Sequence, residues 1–186
     1  MRNKSGLIRK SALHINVAED VDFKIDTRHT HINLNWLDIP LQNINENSIL
    51  IHLVKLIDSY LICGKQVLVN CFAGVSRSAT IIIAYLMYKN KWGFEDAFSF
   101  VKSKRNIINP NYGFVCQLYG LQDILCNLDE KYDEYMSNFQ NKTTNQLNEE
   151  IDRISKLPEV DNFFNKRYRN GYDEPEVNNL NTFYPF

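Results

Sequence analysis

The sequence predicts an α/β domain with a central, mixed and largely parallel sheet flanked by helices. A short apolar run at residues 67–69 is typical of a strand buried on both faces. A loop that begins at Cys71 separates this run from the helical pattern of residues 77–88. The loop therefore lies between a strand and a helix, at the carboxyl end of the strand. Open α/β sheets bind their ligands at that edge.

The other elements follow from apolar periodicity and from residues that cap or end helices. Asn45 or Asn47 can cap a helix, and Gly64 can end it. The expected elements are, in chain order, strands at residues 12–17 and 32–37, a helix to about residue 63, and helices at residues 94–104 and 112–136.

The loop after residue 70 has the composition of an anion site. Backbone N–H groups of a tight loop and the dipole of the following helix both favour bound negative charge. Cys71 at the mouth of the loop would ionise in that field to a thiolate nucleophile. Gly74 can take the positive φ that a tight cradle demands. Arg77 offers a planar, permanently charged fork for two phosphate oxygens.

The string Cys71-x5-Arg77-Ser78 resembles the signature of the protein tyrosine phosphatases. Residues 67–87 as a whole are similar to the dual-specificity branch of that superfamily. The resemblance covers roughly residues 10–128, and its further matching strings lie at residues 95–97, 101–111 and 113–118. A bare cysteine-x5-arginine spacing is common, whereas this extended string in this order is specific.

The resemblance implies a protein phosphatase that hydrolyses phosphotyrosine and phosphoserine or phosphothreonine through a phosphocysteine intermediate. Cys71 is then the nucleophile, Arg77 grips the phosphate, and Ser78 hydrogen-bonds the departing thiolate. The phosphate-binding loop comprises Phe72, Ala73, Gly74, Val75, Ser76 and Arg77.

The family takes its general acid from an aspartate on an upstream loop, and Asp38 fits that position. It follows the strand at residues 32–37, and Pro40 biases its neighbour to extended geometry. Asp38 would protonate the leaving oxygen and then, as a carboxylate, activate water. Asp58 lies inside a helical pattern and is the weaker candidate. Arg105 either holds a second anionic group, as the resemblance implies, or is a solvated charge at a helix end.

Asn70 stands where the family usually has a histidine that helps to keep the thiolate ionised. An asparagine amide can hydrogen-bond the loop, so hydrolysis is the first interpretation. The alternative is a catalytically weak or inactive phosphoprotein-binding module on the same fold. Cys71, Ser78 and Asp38 favour the enzyme, because a binding module needs only the cradle and Arg77.

The resemblance implies phosphorylated proteins as partners, and the composition argues against other classes of partner. A net charge of −1 and a pI near 6.4 argue against nucleic acids and membrane surfaces. The loop contains no lysine, which argues against inositol lipids. The four cysteines have no metal-ligand spacing, and we expect neither a metal nor a cofactor. Residues 1–10 lack the apolar segment of a secretion signal, so we expect a cytoplasmic or nuclear protein.

The composition changes near residue 137. Residues 1–136 are expected to form the catalytic domain, with N-terminal elements shortened relative to the family. Residues 137–186 are expected to form a polar linker, or a mobile helix, and an aromatic-rich tail. We expect the tail to pack on the catalytic domain, over the sheet edge that the short N-terminus leaves open. Its aromatic residues are Phe163, Phe164, Tyr168, Tyr172, Phe183, Tyr184 and Phe186.

Overall fold

The computed structural model describes residues 13–18, 29–138 and 142–169, with the side chains of the last helix described to residue 166. Its strands are β1 (Leu13–Ala18), β2 (Thr30–Trp36) and β3 (Val67–Asn70). They form a sheet in the order β2-β1-β3, and both neighbouring pairs are parallel. The expected α/β class is confirmed, and the sheet is parallel throughout the described strands.

The helices of the described residues are α1 (Ile49–Ile62), α2 (Arg77–Asn90), α3 (Phe94–Lys104), α4 (Tyr112–Gly120), α5 (Gln122–Cys126), α6 (Leu128–Asn138), α7 (Thr144–Ser155) and α8 (Pro158–Arg169). The single helix expected at residues 112–136 is divided into α4, α5 and α6. Leu121 and Asn127 lie at the two divisions. Gly120 and Asn127 have low helix propensity, which accounts for breaks at these points.

The two faces of β1 differ in chemistry. Leu13, Ile15 and Val17 are fully buried and belong to the apolar core. His14 and Asn16 alternate with them and therefore point to the opposite face of the sheet. Helix α2 contacts both β1 and β3 and packs against α1. This packing fixes the carboxyl end of β3 beside the first turn of α2, where the phosphate loop lies.

Helix α7 occupies part of the segment that the sequence marked as a linker or mobile helix. A capping box starts it, in which the side chains of Thr143 and Gln146 bond each other's backbone N–H groups. Leu147, Ile151 and Ile154 follow at helical spacing and are buried. α7 packs against α4 through this apolar stripe.

Helix α8 places two aromatic side chains on the catalytic domain. Phe163 lies with its ring centroid 5.1 Å from that of Phe94 on α3 and 5.2 Å from that of Phe98. Phe164 lies 4.9 Å from Tyr112 at the start of α4. These two residues therefore pack on helices, not on the sheet edge that we expected. The side chain of Tyr168 and all of Tyr172, Phe183, Tyr184 and Phe186 lie outside the described residues.

Truncation of Phe163 tests whether α8 is part of the folded unit. We expect Phe163→Ala to lower the free energy of unfolding by about 3 kcal/mol, because the side chain is only 8% exposed among aromatic neighbours. Asn162→Ala, one position away on the exposed face of the same helix, should change it by less than about 0.5 kcal/mol. Urea unfolding would measure both. Equal stabilities for the two variants would mean that α8 does not contribute to the cooperative fold.

Candidate active site

The loop between β3 and α2 folds around the sulfur of Cys71. The Gly74 amide donates a hydrogen bond to Cys71 Sγ at 3.3 Å, and Ser78 Oγ lies 3.2 Å from the same sulfur. Gly74 has φ +67°, as the sequence predicted for a tight cradle. Cys71 is buried, so these contacts replace water around it.

Arg77 is the first residue of α2 and ties the loop to the end of β2. Its side chain is largely buried, and its Nη1 atom donates to the Trp36 carbonyl at 3.0 Å. Its Nε atom lies 3.7 Å from Asp38 Oδ2. The N-terminus of α2 and this guanidinium together give the loop a positive field that suits a phosphate.

Asp38 follows β2 and is bound to the phosphate loop. Its Oδ1 atom accepts a hydrogen bond from the Ser76 hydroxyl at 2.6 Å and another from Asn111 Nδ2 at 2.8 Å. The side chain remains partly exposed. Asp58, the weaker candidate, lies elsewhere: it is bonded to Tyr85 and Lys89 between α1 and α2. The structure therefore brings Asp38, and not Asp58, to the loop.

Asn111 is a site residue that the sequence analysis did not single out. Besides its bond to Asp38, its backbone N–H donates to Ser76 Oγ at 3.1 Å. Its Oδ1 atom accepts from the Phe114 amide at 3.0 Å and caps α4. The sequence signal was present, since an asparagine one residue before a helix is a common cap. Because Oδ1 of Asn111 caps the helix, its Nδ2 group can point away from the helix, and here it donates to the Asp38 carboxylate.

Arg105 lies at the end of α3 and donates hydrogen bonds to the backbone of the phosphate loop. Its Nε atom donates to the Gly74 carbonyl at 2.9 Å and its Nη2 atom donates to the Ala73 carbonyl at 3.1 Å. A Cβ at Gly74 would lie 3.1 Å from Arg105 Nη2, so a side chain there would press on this contact. The structure thus gives Arg105 an internal role that neither of the two sequence alternatives described.

Asn70, next to the nucleophile, is bonded to β1 instead of to the loop. Its Oδ1 atom accepts a hydrogen bond from His14 Nε2, and its Nδ2 group donates to Asn16 Oδ1 at 3.0 Å. His14 Nδ1 in turn lies 3.2 Å from His31 Nδ1 on β2. This chain of polar contacts crosses all three strands and fixes the Asn70 side chain directly before Cys71.

Burial lowers the pKa of His14, while its bond to Asn70 raises the pKa and the neighbouring His31 lowers it further. The fold therefore favours neutral His14. The unfolded chain takes up a proton below the ordinary histidine pKa of about 6.5, so folding stability falls as the pH drops through that value.

A histidine variant would show this dependence. The melting temperature of the unaltered protein is expected to fall between about pH 7.5 and pH 5.5. In His14→Gln this fall should be about 2 °C smaller. His52→Gln on α1 is the matched control. A drop in melting temperature as large in His14→Gln as in the unaltered protein would contradict the expectation.

The described ranges contain neither a membrane-spanning helix nor a cluster of metal ligands. No helix there is long and apolar enough to cross a membrane. No group of three or more His, Cys, Asp or Glu side chains in the same residues could hold a metal ion.

Comparison with known proteins agrees with this geometry. The family model for the dual specificity phosphatase catalytic domain matches residues 8–124. The chain is 38% identical over 127 residues to a rhodanese domain-containing dual specificity protein phosphatase of Dictyostelium discoideum, covering 66% of this chain and 26% of that protein. It is 37% identical over 116 residues to tyrosine phosphatase 123R of invertebrate iridescent virus 6, covering 61% of this chain and 82% of that protein.

Among solved structures, the crystal structure of DUSP15 superposes with a TM-score of 0.60 at 26% identity, covering 76% of this chain and 88% of that chain. The alignment spans about a quarter of the Dictyostelium protein but most of the viral one and of DUSP15. The match over residues 8–124 includes the loop from Cys71 to Arg77, Asp38 and Asn111. This protein therefore belongs to the dual specificity phosphatase family.

Proposed function

We propose that the protein hydrolyses phosphotyrosine and phosphoserine or phosphothreonine in phosphorylated proteins, through a phosphocysteine on Cys71. The observation that carries the proposal is the placement of Asp38. Three polar groups of the site hold this carboxyl group beside the loop that contains Cys71: Ser76, Asn111 and Arg77. A nucleophile, a phosphate cradle and an acid thus occur together.

In the first step, the Cys71 thiolate attacks phosphorus while the bond to the leaving oxygen breaks. Backbone N–H groups of the loop and Arg77 stabilise the charge on the transferred group. The leaving oxygen takes a proton from Asp38. Oδ1 of Asp38 already accepts two hydrogen bonds, so Oδ2 is the oxygen left to carry that proton.

In the second step, water attacks the phosphocysteine and the sulfur leaves as a thiolate. The Asp38 carboxylate accepts the proton of the attacking water. Ser78 Oγ and the Gly74 amide are within hydrogen-bond reach of the sulfur and stabilise the departing thiolate. Inorganic phosphate is then released, and every group returns to its starting state.

Asn70 favours a second candidate, a phosphoprotein-binding module with little turnover. Its amide oxygen and its amide nitrogen are bonded to His14 and Asn16 on β1. Such a module would keep the cradle and Arg77 but would release no phosphate.

Hydrolysis of para-nitrophenyl phosphate, followed by hydrolysis of peptides that carry phosphotyrosine, phosphoserine or phosphothreonine, tests the proposal. We expect turnover on all four substrates and inhibition by vanadate. If the folded protein binds phosphopeptides but releases no phosphate from any of them, the binding module is the correct function.

A further inference from the structure

Some of the exposed apolar side chains lie on segments that adjoin the phosphate loop. Large hydrophobic side chains that are exposed among the described residues are Leu37, Ile39, Leu61, Ile62, Phe72, Phe100, Ile107 and Tyr112. Leu37 and Ile39 flank Asp38, and Phe72 follows Cys71. Single exposed apolar residues are ordinary on protein surfaces, but a cluster of them at a site is not.

The topology places Leu37, Ile39 and Phe72 at one edge of the sheet. β2 and β3 both run parallel to β1, so Leu37 and Phe72 leave the sheet at the same edge. The segment that carries Ile107 is tied to this edge, because the Asn109 amide donates to the Val75 carbonyl at 2.8 Å. We name Leu37, Ile39, Phe72 and Ile107 the apolar rim.

Charge is scarce on the same loops. Residues 37–40, 72–76 and 106–112 contain no charged side chain except Asp38. Asp38 is bonded to Ser76 and Asn111, and two N–H groups of Arg105 are bonded to loop carbonyls. A polypeptide that reaches the loop therefore meets apolar surface on the rim, where apolar flanking residues lose water-exposed area.

We infer that the apolar rim selects phosphoprotein substrates whose phosphorylated residue is flanked by apolar side chains. The inference rests on the proposed function, because it assigns the substrate class of that same site. Phe72, Leu37 and Ile39 are 56%, 48% and 46% exposed, and Ile107 is 50% exposed. Covering about half of one such side chain and one on the peptide corresponds to about a tenfold gain in binding.

The test compares short phosphotyrosyl peptides that differ only in the residues beside the phosphotyrosine: leucine, serine or glutamate. We expect kcat/KM to be about tenfold higher for the leucine-flanked peptide than for the serine-flanked one. Each rate is divided by the same protein's rate on para-nitrophenyl phosphate, which has no flanking residues. Ile107→Ser should reduce the leucine-to-serine ratio to about a third.

Ile62→Ser is the matched control. Ile62 is 71% exposed but lies at the end of α1, before β3 begins and therefore at the opposite edge of the sheet. Ile62→Ser should leave the leucine-to-serine ratio of kcat/KM unchanged. A ratio near one in the unaltered protein, or a preference for the glutamate-flanked peptide, would overturn the inference. So would faster hydrolysis of a phosphoinositide in mixed micelles than of the leucine-flanked peptide, which would assign the rim to acyl chains.

A failure of the proposed function gives a different result. In that case para-nitrophenyl phosphate is not hydrolysed at all. The dissociation constants of the three peptides, measured by fluorescence polarisation on the Cys71→Ser protein, then decide the preference of the rim without turnover. Equal constants would overturn the inference independently of catalysis.

Discussion

Replacing Cys71 by serine is expected to reduce hydrolysis of para-nitrophenyl phosphate at least about 10⁴-fold, or by more than 5 kcal/mol of transition-state stabilisation. A serine hydroxyl keeps its proton at neutral pH and is a far weaker nucleophile than a thiolate. The contacts of the Gly74 amide and of Ser78 Oγ to Cys71 Sγ would remain for an oxygen at the same position. The cradle should therefore survive, and phosphopeptide binding with it.

Steady-state rates of the two proteins, with peptide binding measured in parallel, would check this. Cys63→Ser is the control, since Cys63 is exposed at the end of α1 and contacts none of the site residues. It should keep the full rate. Retention of more than about a tenth of the activity by Cys71→Ser would exclude a phosphocysteine on this residue. Loss of binding together with activity would mean that the serine disrupts the loop.

Local chemistry explains why the core of the site was predictable. A strand, a cysteine, a glycine and a helix-starting arginine lie within a few residues of each other in the chain. Their arrangement depends on one tight turn, and the positive φ of Gly74 follows from that turn alone. The α/β class followed likewise from the apolar run of β3 and the helical period of α2. The resemblance implied an upstream aspartate as the acid, and the position of Asp38 after a half-buried strand fitted that role.

The contacts that join distant segments were not predictable in this way. Arg105 lies more than thirty positions after Gly74 and meets its carbonyl only because α3 packs on α2. Asn111 reaches Asp38 across 73 positions of the chain. A single sequence contains helix caps and solvated arginines in many places, and only tertiary packing shows which of them reaches a site.

The hydrogen bond between Asn70 and His14 is another contact that the sequence did not predict. The sequence showed that Asn70 precedes the nucleophile and that its amide can hydrogen-bond the loop. The strand register instead places Asn16 of β1 opposite Asn70, and His14 lies on the same face of that strand. The Asn70 amide bonds to side chains of β1 because buried polar groups on a sheet face need hydrogen-bond partners. Register is set by the whole sheet and was not readable from residues 70–78.

Replacing Asp38 by asparagine is expected to lower kcat for phenyl phosphate by about 10²- to 10⁴-fold, the usual contribution of a positioned general acid. Asparagine keeps an oxygen that can accept from Ser76 and Asn111, so the loop should stay in place. It cannot give a proton to the leaving oxygen. KM should therefore change much less than kcat, because the group acts in the transition state rather than in binding.

The leaving group separates this role from a structural one. Phenolate is a poor leaving group and needs the proton, whereas para-nitrophenolate leaves readily without it. The comparison uses kcat/KM, which covers the steps up to formation of the phosphocysteine and not the later attack of water. Asp38→Asn should therefore lose much more kcat/KM on phenyl phosphate than on para-nitrophenyl phosphate, while damage to the loop would lower it equally for both substrates. Asp58→Asn is the matched control, because its carboxylate lies between α1 and α2 with Tyr85 and Lys89. Equal losses of kcat/KM on the two substrates in Asp38→Asn would exclude Asp38 as the general acid.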